Sequence, residues 1–280
     1  MAVLPGIDVR ERLGQAVLAR VRGPDGDAKA ERILRSPGPR WFGADRPIRR
    51  VHADAAMFVG GLRALLLQSL HPLAMAAVEQ HSGYRGDPWG RLQRTSEFLA
   101  VTTYGTAEDA EAAVARVRAV HARVSGRTPY AADDPHLLGW VHVAEIDSFL
   151  RAHQRYGDRP LDQAGRDGYV EDTAVVARAL GVPDPPVSER ELAARLAYYR
   201  PELMSTPEAR AAARFLLVHA PIPWVARPGY ATLSAAAVGL LPWWARWPLR
   251  LPWLPIAEAI VVRASGTVVT SAIRWLLRPG

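Results

Sequence analysis

The sequence predicts an all-α protein built as a single helical domain. Alanine and leucine dominate the chain, runs of valine and isoleucine are short, and no Asn-Gly or Asp-Gly turn lies between two alternating strands. Hydrophobic residues make up 49% and charged residues only 22%, which is typical of a folded chain. Because no internal repeat or clear linker is present, we expect one domain over residues 51–280, preceded by an N-terminal arm of residues 1–50.

The predicted helices begin with a strongly apolar one at about residues 53–70, which Pro72 ends or bends. A loop over residues 82–90, which contains three glycines, then leads into a helix at about residues 91–101.

The next helix has the clearest signals in the chain. Thr106 is placed to cap it, Asp109 follows three residues later, and Gly126 is placed to stop it. Its apolar positions are spaced as one face of a helix, and the fourth of them is a histidine: Ala110, Val114, Val117, His121 and Val124.

A further helix begins at Asp134-Pro135, a capping residue followed by a first-turn proline. It carries His142 on the same side as three apolar residues: Leu138, Ile146 and Phe149. The remainder is expected to form helices at about 170–180, 188–199 and 207–219, a tract rich in proline and tryptophan over 221–255, and an amphipathic segment over 256–277.

Composition excludes several classes of site. The chain has no cysteine, so disulfides, thiolate metal sites, iron–sulfur clusters and cysteine nucleophiles are excluded, and any metal must be held by nitrogen or oxygen. The motifs of zinc peptidases, serine hydrolases, P-loop ATPases and dinucleotide-binding proteins do not occur.

The charge balance bears on partners and location. A net charge of +7, with Lys29 as the only lysine, indicates either an anionic partner such as a membrane surface or acidic cofactor, or biased codon usage. The arginines are scattered and no nucleic-acid-binding motif occurs, so we expect no nucleic-acid partner. Residues 1–22 carry frequent charges and the uncharged stretch 228–245 contains two prolines. We therefore expect no signal peptide, no transmembrane helix and a cytoplasmic location.

Two histidines that face inward are the strongest candidates for a cofactor site. His121 and His142 each lie on an otherwise apolar helix face. A neutral imidazole in such a place either bonds a backbone carbonyl in the core or serves as the axial ligand of a haem iron. Helical periodicity does not choose between the two histidines. Glu145, one turn beyond His142, either orients that ring or forms a surface pair.

A polar face on the preceding helix is the second candidate. Arg91, Arg94, Thr95 and Phe98 are spaced as one side of a helix. This face is either solvated or a cluster that polarises oxygen, stabilises developing negative charge or anchors a carboxylate such as a haem propionate.

The segment 240–253 alternates tryptophans, arginines and prolines. Tryptophan and arginine suit a water–lipid interface, which would favour hydrophobic substrates delivered from a membrane. The alternative is a proline-rich cap whose tryptophans pack inward.

A set of short motifs follows in order along the chain: His71-Pro72; His81-Ser82, Tyr84-Arg85, Asp87-Pro88, Gly90-Arg91 and Arg94-Thr95; Thr103-Tyr104-Gly105; His121, Val124 and Gly126; Trp140-Val141-His142; Arg200-Pro201-Glu202-Leu203; Arg227-Pro228; and Leu241-Pro242. Over about residues 45–255, this ordered set resembles the MpaB-type oxygenase family, which includes the latex-clearing rubber oxygenases.

The resemblance implies a distantly globin-like core that holds haem b, and oxygen-dependent attack on an unactivated carbon–carbon double bond. It gives His121 the axial role. Arg91, Arg94 and Thr95 correspond to an Arg-x-x-Lys-Thr cluster over the distal haem face, with arginine in place of lysine, which changes the donor geometry. Glu79 is the nearest candidate for a distal glutamate base, although its spacing differs.

We therefore expect a haem-dependent oxygenase that acts on a hydrophobic, unsaturated small molecule, with Arg91, Arg94 and Thr95 as catalytic residues and His121 as the metal ligand. The apolar residues 65–70 are expected to line the substrate pocket. The alternatives are a non-enzymatic haem- or lipid-binding protein peripheral to the membrane, and a helical scaffold without a cofactor.

Overall fold

The computed structural model describes residues 9–23, 25–81, 86–124 and 131–278. The chain is 75% helical, and no strand occurs in these ranges. The predicted all-α single domain is therefore confirmed, whereas the globin-like arrangement stays a prediction.

The helices follow one another in this order: α1 (Val9–Arg22), α2 (Gly26–Arg35), α3 (Pro47–His52), α4 (Met57–Gln68), α5 (Pro72–His81), α6 (Pro88–Tyr104), α7 (Ala107–His121), α8 (Pro135–Tyr156), α9 (Gln163–Leu180), α10 (Glu189–Tyr199), α11 (Pro207–Arg214), α12 (Arg227–Leu240) and α13 (Trp243–Arg246). A 3₁₀ turn, Arg200–Glu202, follows α10, and a π-helical turn, Phe215–His219, extends α11. A C-terminal helix, Pro255–Leu277, completes the fold.

Capping residues set the helix boundaries much as the sequence predicts. The Thr106 hydroxyl accepts a hydrogen bond from the Asp109 amide at 3.1 Å, so the predicted cap of α7 is confirmed. Helix α6 begins three residues earlier than expected because the Asp87 carboxylate caps it by accepting from the Gly90 amide. The predicted stop at Gly126 and most of the loop before Asp87 lie outside the described residues.

The core is centred on the crossing of α4 and α8. Gly60 of α4 permits this close approach, since a Cβ atom there would lie 2.8 Å from the ring of Phe149. Trp140 and Leu150 of α8 and Tyr169 of α9 are fully buried beside this crossing. The two helices thus form the frame on which the other elements pack.

A buried ion pair ties α4 to α8. The Arg63 guanidinium lies 2.7 Å from the Asp147 carboxylate, and both side chains are 3% exposed. Arg63 also donates to Ser148 Oγ and to the Leu240 carbonyl of α12. All three nitrogens of this buried cation therefore have acceptors, as buried charges require.

In the described part of the predicted N-terminal arm, helices α1 and α2 pack on α6. Lys29 of α2 forms a salt bridge with Glu97 of α6 at 2.7 Å. Arg40 donates to backbone carbonyls of α2 and to the carbonyl of Tyr104 at the end of α6. The arm thereby covers the outer side of α6.

The C-terminal helix differs from the sequence expectation. We expected no segment that could cross a membrane, but Pro255–Leu277 is long and apolar enough to do so by length and composition. Its charged residues lie far apart, so the mean hydropathy of an 18-residue window reaches 1.5. Only 11% of that window is buried inside the protein.

Candidate functional site

The three predicted residues of α6 lie on its first half, toward its N-terminus. Arg94 is largely exposed and forms an ion pair at 3.3 Å with Asp87, the residue that caps α6. The Asp87 carboxylate therefore offsets the charge of Arg94. Thr95 is exposed and Arg91 is half-buried. The three residues share one side of the helix, as the spacing predicted.

His121 is the last residue of α7. The apolar face that leads to it is buried at Ala110 and Val114 and half-buried at Val117 and at His121 itself. Burial lowers the pKa of the His121 imidazole, and the nearby carboxylate of Asp133 opposes this only in part. The ring forms no hydrogen bond with any described residue, so no backbone carbonyl in this part of the chain holds it.

His142 lies on the second turn of α8, and its Nε2 is buried without a hydrogen-bond partner among the described residues. Burial lowers the pKa of this imidazole to about 4, so the ring is neutral at physiological pH. The His142 ring is surrounded by protein, yet the residue keeps more solvent-accessible surface than a fully buried core residue. It therefore borders open space, and it lines a cleft of about 230 Å³ between α8 and α10.

Glu145 is likewise surrounded by protein but keeps some solvent-accessible surface. Burial raises the pKa of its carboxyl to about 7, so this group gains and loses a proton near neutral pH. The structure shows no surface ion pair for Glu145 among the described residues, which disfavours that alternative.

A series of buried polar side chains begins at Glu145. The Glu145 carboxylate lies near Tyr169. Burial is the largest cause that raises the pKa of the Tyr169 hydroxyl, and the charge of Glu145 raises it further. The Tyr169 hydroxyl lies 3.4 Å from Nε2 of His52, and Nδ1 of His52 lies 2.8 Å from the Thr103 hydroxyl. This series was not predictable from the sequence, because its members come from four helices: α3, α6, α8 and α9.

The predicted residues thus occupy three places: the first half of α6, the end of α7 and the second turn of α8. No hydrogen bond or ion pair in the described ranges joins His121 to His142. A second cleft, of about 420 Å³, adjoins α7 and is lined by six residues: Trp41, Glu111, Val114, Ala115, Arg118 and Ala179. His121 is not among them.

Of the predicted pocket wall, residues 65–70, three leucines leave no room for a substrate, whereas Leu65 is exposed. Leu66, Leu67 and Leu70 are at most 1% exposed and belong to the main core, so they leave no surface for a substrate. Partly buried apolar side chains of α5, α6 and α8 remain available at the edge of that core: Ala74, Val78, Leu99 and Val141.

The structure also brings together three residues that the sequence did not single out as ligands. Nε2 of His71 lies 3.3 Å from Oε2 of Glu202, and Nε2 of His136 lies 2.7 Å from the same oxygen. Burial lowers the pKa of His71, and Glu202 offsets this only in part. Partial burial would raise the pKa of Glu202, but hydrogen bonds with the two imidazoles lower it overall. The motifs around His71 and Glu202 were visible in the sequence, but their contact depends on the fold.

Comparison with known proteins gives one match. A family model described as the catalytic domain of ER-bound oxygenase mpaB/B′ and rubber oxygenase matches residues 49–272. No curated protein and no solved structure matches the chain significantly. Because the family match covers most of the chain and agrees with the ordered motifs, the protein belongs to the mpaB/B′ and rubber oxygenase catalytic-domain family, a family of oxygenases.

Proposed function

We propose that the protein is a haem-dependent oxygenase that acts on a hydrophobic, unsaturated small molecule, by oxidative cleavage of a carbon–carbon double bond or a related oxidation. The observation that carries this proposal is the match of residues 49–272 to an oxygenase catalytic domain. The substrate class rests on the resemblance to the rubber oxygenases and on the apolar side chains at the core edge.

Two imidazoles in the structure fit a haem ligand. Neutral nitrogen is the form that binds iron, and burial favours the neutral ring of both His121 and His142. Within the described ranges, His121 forms no hydrogen bond and the buried Nε2 of His142 has no hydrogen-bond partner. The motif match favours His121, and His142 is the alternative.

A bound haem would supply the activation of oxygen that attack on an unactivated double bond requires. The chain contributes the surrounding charges and protons. In this proposal Arg91 and Arg94 would pair with haem propionates, and Arg94 would exchange its contact with Asp87 for a propionate. Thr95 lies beside them and can donate a hydrogen bond to a substrate or to oxygen.

Glu145 is the proposed site of proton transfer. Its carboxyl can hold a proton at neutral pH and return it, because burial raises its pKa to about 7. Glu79, the alternative base, lies near the end of α5 and is half-buried.

The test is aerobic incubation of the purified, haem-loaded protein with long-chain alkenes and terpenoid olefins, with measurement of oxygen uptake and carbonyl products. We expect uptake and products that depend on His121, with no loss in His219→Ala, whose histidine is exposed. Haem binding without oxygen uptake for any olefin would favour the non-enzymatic alternative.

A membrane surface is the second partner that the structure favours. Trp247 is 85% exposed, and Trp253, Ile260 and Val268 are also exposed. The alternative of inward-packed tryptophans is therefore wrong for Trp247 and Trp253. Such exposed apolar surface, together with arginines, is typical of membrane contact.

The C-terminal helix is fixed to the body along one side, which favours contact over spanning. Thr270 is fully buried, and Arg274 forms an ion pair with Asp54 at 3.0 Å. A Cβ atom at Gly266 would lie 2.7 Å from the ring of Tyr156, so helix and body touch closely. We therefore propose that the outer side of Pro255–Leu277 rests on a bilayer, with the body of the protein in the cytoplasm.

A further inference from the structure

Two imidazoles and one carboxylate converge where α4 turns into α5. The two helices bend by 106° at this corner, which carries His71. His136 lies on the first turn of α8, and Glu202 ends the 3₁₀ turn after α10. The three candidate ligand atoms lie within 4.8 Å of one another. We propose that His71, His136 and Glu202 bind one divalent transition-metal ion, with Zn²⁺ as the representative, at a site separate from the proposed haem.

The donor set suits such an ion. Two neutral imidazoles and a carboxylate are the protein ligands of one class of catalytic zinc site and of the facial triad that binds non-haem iron. Each of these sites leaves coordination positions open to water. The chain offers no thiolate, so softer metals are disfavoured.

The surrounding structure holds the three side chains in place without a metal. The Tyr199 hydroxyl donates to the His136 carbonyl at 3.0 Å, and its ring packs on that imidazole at 4.8 Å. The Met204 amide donates to the Leu70 carbonyl at 2.8 Å, which fixes the segment after Glu202 beside His71. Ligands that are already positioned lose less conformational entropy when the ion binds.

The site also has an open side. The cleft of about 230 Å³ is lined by His136 together with Tyr198 and Tyr199, so water or a small ligand can reach the ion. His71 does not line this cleft and is 3% exposed, so it would contact the ion from the protein interior. Only Oε2 of Glu202 contacts the imidazoles, so Oε1 remains for a second bond to the ion.

A metal-free hydrogen-bond network is the competing explanation. In that network Glu202 would only fasten the 3₁₀ turn to α5 and α8. Nδ1 of His71 is buried without a hydrogen-bond partner in the described ranges, and while Nε2 faces Glu202 this holds for both explanations. The two explanations differ in one measurable property, the affinity for a metal ion.

The experiment titrates chelator-treated, full-length protein with Zn²⁺ by calorimetry and with Co²⁺ by visible absorption. His136→Gln and Glu202→Gln change partly exposed side chains and keep hydrogen-bonding groups, and His219→Gln is the control on an exposed histidine. We expect one ion per wild-type and control chain. Each ligand variant should bind at least about 100-fold more weakly, because changes outside the ligand set alone cost about 10–100-fold.

A thermal melt with and without Zn²⁺ separates lost binding from lost folding. The ion should raise the melting temperature of the wild type and the control but not of the two ligand variants. The proposal is overturned if the wild type binds no stoichiometric ion, or if both ligand variants bind as tightly as the control. The haem absorption of Glu202→Gln should equal that of the wild type, so failure here leaves the proposed oxygenase function untouched.

Discussion

Glu145 shows how the protonation of a single buried side chain is coupled to stability. Burial favours its neutral form, and its pKa of about 7 lies well above the usual value of 4.5. Between these two values the folded chain holds a proton that the unfolded chain has released. Stability from this residue is therefore greatest below about pH 4.5 and is lost as the pH rises through 7.

Glu145→Gln should remove this dependence. Relative to the wild type, the variant should gain up to about 3 kcal/mol in free energy of unfolding between about pH 5 and pH 8, at 1.36 kcal/mol per pKa unit. Urea unfolding at a series of pH values measures the difference. Glu31→Gln, at an exposed position, should show no such gain. If the free energies of unfolding of the wild type and Glu145→Gln changed in parallel with pH, protonation of this carboxyl would not be coupled to folding.

At the scale of single residues, the sequence could indicate His121 and His142 because helical spacing places both on apolar faces. It could not indicate His136 or Tyr169 as partners of distant residues. His136 meets Glu202 across 66 positions, and Tyr169 meets His52 across 117. Such contacts depend on how helices pack, which periodicity within one helix does not contain.

Among the elements, the pair α4 and α8 depends on the ion pair of Arg63 and Asp147. A buried pair contributes little net stability, but removing one partner leaves the other charge buried and uncompensated. Because Arg63 also donates to Ser148 and the Leu240 carbonyl, its loss leaves several acceptors unpaired.

Arg63→Leu should lower the free energy of unfolding by about 3–5 kcal/mol. Chemical denaturation followed by circular dichroism measures the change. The matched control is Arg35→Leu, which breaks an exposed pair with Glu31 and should cost less than about 1 kcal/mol. Equal stability of Arg63→Leu and the wild type would show that α4 and α8 do not depend on this pair.

Helix positions were predictable where a cap marks them. Thr106 and Asp134 cap α7 and α8 as expected, because capping needs only residues within one turn. The start of α4 was predicted four residues early, since residues 53–56 form a turn in which Asp54 accepts from the Ala56 amide. Pro228 was read as a break, but it lies in the first turn of α12, where proline is tolerated.

For the whole molecule, we propose that residues 1–50 serve as an arm and that residues 51–280 form the catalytic body. The family match begins at residue 49, which supports this division. The arm packs against α6 and the C-terminal helix, so it connects the candidate site to the proposed membrane face.

Membrane contact predicts a specific binding behaviour. The wild type should sediment with vesicles that contain anionic lipid and bind zwitterionic vesicles more weakly, because the chain carries a net charge of +7. Trp247→Ala combined with Trp253→Ala should weaken sedimentation several-fold, whereas Trp41→Ala, in the cleft beside α7, should not. Unchanged binding of the double variant would place the membrane contact elsewhere.

The absorption spectrum of the purified full-length protein, after reconstitution with haem, tests the central claim most directly. The account predicts a Soret band in the wild type that is lost in His121→Ala and kept in both His142→Ala and His219→Ala. A wild-type protein without this band would contradict the haem proposal, and loss of the band only in His142→Ala would show that His142 is the ligand instead.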